Sequence, residues 1–145
     1  MYSYEQNFTF SHFFQQPTIR RAIPVKNKKR KPTQNFRTTI WTGTHLQMTL
    51  MCLPPCGEID LEMHSDTDQL IRIEDGKALV QMGRCKNQLN YQQSLSNGDV
   101  IFVPAGTWHN VYNAGEDSLK ISSVYAPPNH PHGTVHRTKA EAEEE

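Results

Sequence analysis

The sequence predicts an all-β protein, a sandwich or a closed barrel, on three observations. From Phe36 onward the chain is a series of short strand-like runs. Gly, Pro, Asn and Asp recur between those runs in the combinations that make tight turns. No stretch carries a convincing helical pattern until "TKAEAEEE" at the end. Roughly six to eight strands of this kind suit a sandwich or barrel. A length of 145 residues supplies one core and not two, so the organisation expected is an irregular basic arm over 1–33, a β domain over 34–126 and a short tail over 127–145.

The runs follow in order. "FRTTIWTG" and "HLQMTLMCL" come first, the second alternating through Leu46, Met48, Leu50 and Cys52 until "PPCG" ends it. "EIDLEMH" reads as a further strand. In "QLIRIEDGKALVQM" the turn signal "EDGK", Glu74 to Lys77, divides two alternating runs and predicts a hairpin. "NQLNYQQSL", the turn "SNGD", then "VIFVP", "TWHNVYN", the turn "AGED" and "LKISSVY" complete the domain.

Charge narrows the function classes. Lys plus Arg and Asp plus Glu stand at 15 each, but the arm concentrates Arg20, Arg21, Lys26, Lys28, Lys29, Arg30 and Lys31 against Glu5 alone. That cluster lacks interleaved aromatics and any recognisable reading module, so no nucleic-acid partner is expected. "FTFSHFF" in the same arm is apolar enough to pack on something. No apolar run approaches the ~18 residues of a membrane span and the N-terminus lacks a secretory pattern; a cytoplasmic protein with no membrane partner is expected. Cys52, Cys56 and Cys85 are read as reduced thiols, with a Cys52–Cys56 bridge reserved for an oxidising compartment.

The chemistry concentrates in "GDVIFVPAGTWHNVYN", where Gly98, Pro104, Gly106, His109 and Asn113 stand at fixed gaps. Gly98 turns into a strand, Pro104 and Gly106 make a corner, and His109 returns on the following strand. This pattern resembles the second conserved motif of the cupin family, GX(5)PXGX(2)HX(3)N, at every specified position. The family's first motif, GX(5)HXHX(3,4)EX(6)G, then aligns upstream from Gly76: Gln69 stands where the family has Glu, His64 at the second His, Glu62 where the first His is usual, and Gly57 one residue near. Sliding the pair to His64 and Asp66 fits the spacing less well.

The resemblance, which covers roughly residues 36–126, implies a double-stranded β-helix, that is, a cupin or jelly-roll barrel with its pocket inside. It points to a small single-domain bacterial cupin, and the tail "YAPPNHPHGTVHRTKAEAE" resembles that of the mannose-6-phosphate isomerase-like group. It also implies a homodimer, since cupins commonly pair through their sheets.

Strand geometry agrees with the candidate set. Positions i and i+2 share a face of a strand, so Glu62 and His64 point together. Glu62, His64 and His109, with Gln69 as a neutral fourth ligand, make two imidazoles and a carboxylate, which suit one divalent ion such as Fe, Mn, Ni or Zn. Asp66 and Asp68 are read as turn residues, and His45 is unassigned. His130, His132 and His136 belong to a surface or barrel-covering tail. Tyr91, Tyr112 and His45 are proton-transfer candidates should they face the pocket. The function expected is a metal-binding cupin that binds or acts on a small polar molecule, with sugar-isomerase-like chemistry. The alternatives are an Fe/Mn-dependent oxygenase and a non-catalytic binding or assembly module.

Overall fold

The computed structural model of the chain describes residues 34–144; the basic arm expected over 1–33 lies outside them. The described elements are β1 (Arg37–Thr42), β2 (Gln47–Leu53), β3 (Asp68–Asp75), β4 (Lys77–Gly83), β5 (Tyr91–Ser96), β6 (Val100–Val103), β7 (Trp108–Asn113), β8 (Leu119–Ala126), β9 (Val135–His136) and α1 (Lys139–Glu143). They form a six-stranded sheet in the order β6-β3-β8-β2-β1-β9 and a three-stranded sheet in the order β5-β4-β7. All pairings are antiparallel, and the two sheets make the double-stranded β-helix.

The turn at "EDGK" differs from the hairpin its chemistry predicts. β3 and β4 are separated by Gly76 alone, yet they lie in different sheets and do not pair. Gly76 takes φ of 110°, which favours a residue without Cβ, and its N–H donates to Asn97 Oδ1 at 2.7 Å. "EDGK" is therefore a corner between sheets and not a hairpin. A glycine turn supports either, because pairing is decided by distant strands. The hairpins of consecutive strands are β1–β2 and β4–β5.

The inner face of the large sheet grades from apolar to polar along the barrel. Cross-strand rows run Leu53–Leu119, then Met51–Ile121–Ile73, then Thr49–Ser123–Ile71, then Gln47–Tyr125–Gln69. On the small sheet the same progression is Ala78–Asn113, Val80–Val111 and Met82–His109. The apolar end, with Leu53, Ile71, Ile73, Val80, Val111, Leu119 and Ile121 buried, supplies the stability of the fold at about 1.5–3 kcal/mol per fully buried aliphatic side chain. The polar end is left for a site.

β2 inverts its sequence parity. Its apolar alternation at Leu46, Met48, Leu50 and Cys52 lies on the outer side, and Gln47, Thr49, Met51 and Leu53 are the buried set. Gln47 can face inward because it is fully bonded: its amide N donates to Thr42 Oγ1 at 2.9 Å and to the His130 carbonyl at 2.8 Å, and its Oε1 accepts from Asn129 N at 3.0 Å and His130 N at 2.9 Å. Those bonds pin the tail to the barrel. Further along the tail, β9 adds to the sheet beside β1 and Thr138 caps α1 by accepting from Glu141 N at 3.3 Å.

Replacing Gln47 by Leu keeps the volume but strands three backbone groups of Asn129 and His130. Gln47→Leu is expected to cost about 2–4 kcal/mol in urea unfolding, with increased amide exchange over residues 129–137.

Candidate metal centre

The segment between β2 and β3 is not the continuous strand that "EIDLEMH" suggested. Asp60, at φ of 80°, breaks it, leaving two isolated bridges to β7, Glu58 with Tyr112 and Glu62 with His109. Asp60 accepts Lys139 Nζ at 2.7 Å, which ties the break to α1. At the second bridge Glu62 N donates to the His109 carbonyl at 3.0 Å and His109 N to the Glu62 carbonyl at 2.9 Å. A pair that exchanges both backbone bonds projects its side chains to the same face, and this sets Glu62 beside His109.

The Pro104–Gly106 corner brings His64 to the same place. Gly106, at φ of 78°, donates its N–H to the His64 carbonyl at 2.7 Å. Ala105 N donates to Asp68 Oδ1 at 2.8 Å, so Asp68 acts as the turn residue expected of it. Asn113, the last residue of the motif, closes the far end of β7: its amide donates to the carbonyls of Leu53 and Asp117 at 3.0 and 2.8 Å and accepts from Gly115 N at 3.0 Å.

Glu62 Oε1 lies 3.4 Å from His64 Nε2 and 3.4 Å from His109 Nε2. The two imidazole centroids are 5.3 Å apart with planes at 57°, and His109 is fully buried. These spacings exceed the ~2.7–2.9 Å of charge-assisted hydrogen bonds, and neither Nε2 has a hydrogen-bond partner. They match the edge of a coordination polyhedron: ligands ~2.1 Å from a common ion stand ~3.0–3.4 Å apart. Among the described residues this is the one cluster of three His, Cys, Asp or Glu side chains within ligand reach of each other, all pairs lying within 4.8 Å.

The tautomer of His109 sharpens the point. Its Nδ1 lies 3.0 Å from the Thr107 carbonyl, an acceptor only, so Nδ1 carries the proton and donates. In a neutral ring Nε2 then presents a lone pair toward the Glu62 carboxylate, and two lone pairs repel unless a cation or proton lies between them. An imidazole oriented by a carbonyl in this way is the usual supporting arrangement of a metal-binding histidine. Burial pushes the Glu62 carboxyl up, but the two imidazoles facing it, when they carry protons, outweigh that and bring it from 4.5 to about 2.

Gln69 lies buried on the inner face of β3, paired in register with Tyr125. Its amide N donates to Ser123 Oγ at 3.2 Å while its Oε1 is buried without a partner. Tyr125, which sequence reasoning passed over, is the nearest aromatic wall: its ring meets His64 edge-on at 5.9 Å and His130 at 5.2 Å. The inward parity of "SSVY" was its only signal. Burial and the Glu62 charge raise its phenol to about 12. The other proton-transfer candidates lie elsewhere: Tyr91 and His45 are exposed and Tyr112 lies on the face of β7 opposite His109. In the tail His130 and His136 cover the barrel and His132 is exposed.

The family profile described as "Cupin domain" matches residues 49–125. The chain is a member of the cupin family. It is 53% identical to the protein YrkC of Bacillus subtilis over 80% of this chain, and spans 62% of that protein's length. It is 39% identical to protein L612 of Acanthamoeba polyphaga mimivirus over 78% of this chain and 71% of that one. The solved structure of BH2720 from Bacillus halodurans superposes on this cupin with a TM-score of 0.78 at 50% identity, over 79% of this chain and 87% of that one.

Proposed function

We propose that this cupin binds one divalent metal ion through Glu62, His64 and His109, with Gln69 Oε1 as a weaker fourth ligand, and uses it on a small polar molecule. The observation that carries the reading is the convergence of two buried imidazole Nε2 atoms, neither hydrogen-bonded, on one carboxylate oxygen. Two imidazoles and a carboxylate with remaining open positions suit Fe(II) or Mn(II), and Ni or Zn by donor type. A divalent ion there would polarise a carbonyl or hydroxyl oxygen of the bound molecule.

Isomerase-like proton transfer is the chemistry proposed for this cupin. Glu62 serves as the anionic ligand, so it is unavailable as an acid. Tyr125, raised to about 12, keeps its proton beside His64 and can offer a neutral O–H to the bound molecule as a hydrogen-bond donor. Three free cysteines support a reducing, cytoplasmic setting; no helix among the described residues is long and apolar enough to cross a membrane.

A homodimer is part of the reading, and the outer face of the large sheet supports it. The register aligns Phe102, Leu70, Val124, Met48 and Trp41 as one row across five strands. Phe102 is 70% exposed and Trp41 38%. This is the apolar parity that β2 turns outward, and beside Phe102 lies a groove of about 420 Å³ lined by Leu70, Val124 and Pro104. Six strands ~4.8 Å apart and ~20 Å long present a face of roughly 500 Å², near the minimum each partner contributes to a specific interface. A second copy of this chain, carrying the same row, is the occupant that fits.

Two measurements check these statements. Protein purified without chelator or affinity-tag metal is expected to carry about one ion per chain, falling below about 0.1 in Glu62→Ala, His64→Ala and His109→Ala with the far-UV spectrum unchanged. Full metal content in any of the three contradicts the site, and an absence of uptake by wild type returns the protein to the non-catalytic reading. By sedimentation, Phe102→Glu is expected to convert a dimer to monomers, weakening association by about 100-fold or more, while metal content is retained.

A further inference from the structure

Arg37 sits on the inner side of β1 with 6% of its surface exposed. Its guanidinium lies 3.2 Å from His136 Nδ1 and 3.9 Å from Met51 Sδ, and its Nε–H has no partner. Among the described residues no carboxylate pairs with it. A guanidinium cannot shed its proton in a protein, so this is a buried positive charge that, among the described residues, has an aromatic face but no anion beside it. An ordered water would satisfy the N–H but leave the charge uncompensated, and an uncompensated buried charge is strongly destabilising.

The guanidinium is flanked by His136, Met51 and the Phe36 ring, whose centroid lies 5.4 Å from its carbon, and one register step along the sheet lies a row of hydroxyls. Two residues along β1, Thr39 is aligned with Thr49 of β2, which is aligned with Ser123 of β8, giving a row of three hydroxyls across the inner face. Thr39 Oγ1 is buried without a hydrogen-bond partner, Ser123 Oγ accepts from Gln69, and the Thr49 and Ser123 hydroxyls lie close enough to the Tyr125 phenol to act on it. One register step further lies Tyr125, whose ring touches His64. The order is thus Arg37, hydroxyl row, Tyr125, His64.

We propose that Arg37 and the hydroxyls of Thr39, Thr49 and Ser123 bind a carboxylate group of the small molecule that this cupin takes. One guanidinium charge balances a monoanion, and the hydroxyls supply the further donors that a carboxylate's two oxygens accept. A phosphate dianion would leave a negative charge uncompensated in the same interior as Glu62. The inference deepens the proposed function by naming the substrate class, and rests on it for the view that the barrel interior receives a ligand; the Arg37 tier itself does not need the metal.

The test uses chelator-treated full-length protein, so that no metal is present to take the carboxylate. Acetate and propionate are titrated calorimetrically and in thermal shift, with acetamide as the uncharged probe. The expected result is that the carboxylates bind and raise the Tm of wild type while acetamide does neither. Arg37→Met is expected to weaken carboxylate binding by about 10- to 100-fold and Arg37→Lys to retain part of it. A purely structural Arg37 would lower Tm in Arg37→Met with no difference between acetate and acetamide in wild type, and that overturns the proposal even if the variant fails to fold. Equal carboxylate binding by wild type and Arg37→Met, binding only after metal is restored, or a preference for inorganic phosphate would overturn it too. Loss of the metal reading alone leaves the outcome on metal-free protein unchanged.

Discussion

The pair of backbone hydrogen bonds between Glu62 and His109 is the constraint on which the site depends. It holds a carboxylate from an irregular connection against a histidine on a strand, at the end of a short series of backbone bonds that begins with Gly57 to Asn113 and Ile59 to Val111. The exchange of N–H and carbonyl at 3.0 and 2.9 Å fixes their Cα separation and faces both side chains inward. The Gly106 N–H to His64 carbonyl bond then ties the corner before β7 to the residue two beyond Glu62. Three side chains from two chain segments converge because the backbone, and not the side chains, does the stitching.

Around that point the barrel is organised as a gradient. One end carries the aliphatic rows that stabilise the fold, and polar side chains accumulate toward the other. Gln47 is fully bonded within the fold, and Asn113 is engaged through both side-chain atoms. Thr39, Arg37 Nε, Gln69 Oε1 and the two imidazole Nε2 atoms are not. Buried polar atoms are nearly always paired in folded proteins, so the unpaired ones that face the barrel interior support the binding reading proposed above.

Much of this was legible in the sequence, and what was not has physical causes. The spacing of Gly98, Pro104, Gly106, His109 and Asn113 reports a local corner and was readable as such. Glu62 and His64 were placed by counting back from Gly76. Their closeness to His109 holds although the strand assumed for them does not, because a single bridge orients Glu62 as well as a ladder would. "EDGK" misled because turn chemistry is local and sheet membership is not. β2 misled because its alternation is genuine but its apolar side faces outward, a reversal that sequence parity alone cannot reveal. Tyr125 and Arg37 gave no motif at all: Tyr125 meets His64 and Arg37 meets His136 from distant parts of the chain.

The central claim is that the three converging ligand atoms hold a cation. The most direct measurement is anomalous diffraction from crystals of protein grown with Mn(II), Fe(II) or Zn(II), recorded at the metal's absorption edge. A single strong peak ~2.0–2.3 Å from the Glu62 carboxylate and both Nε2 atoms is the result predicted. A proton shared between Glu62 and the two imidazoles, with no anomalous peak between them at saturating metal, would contradict it.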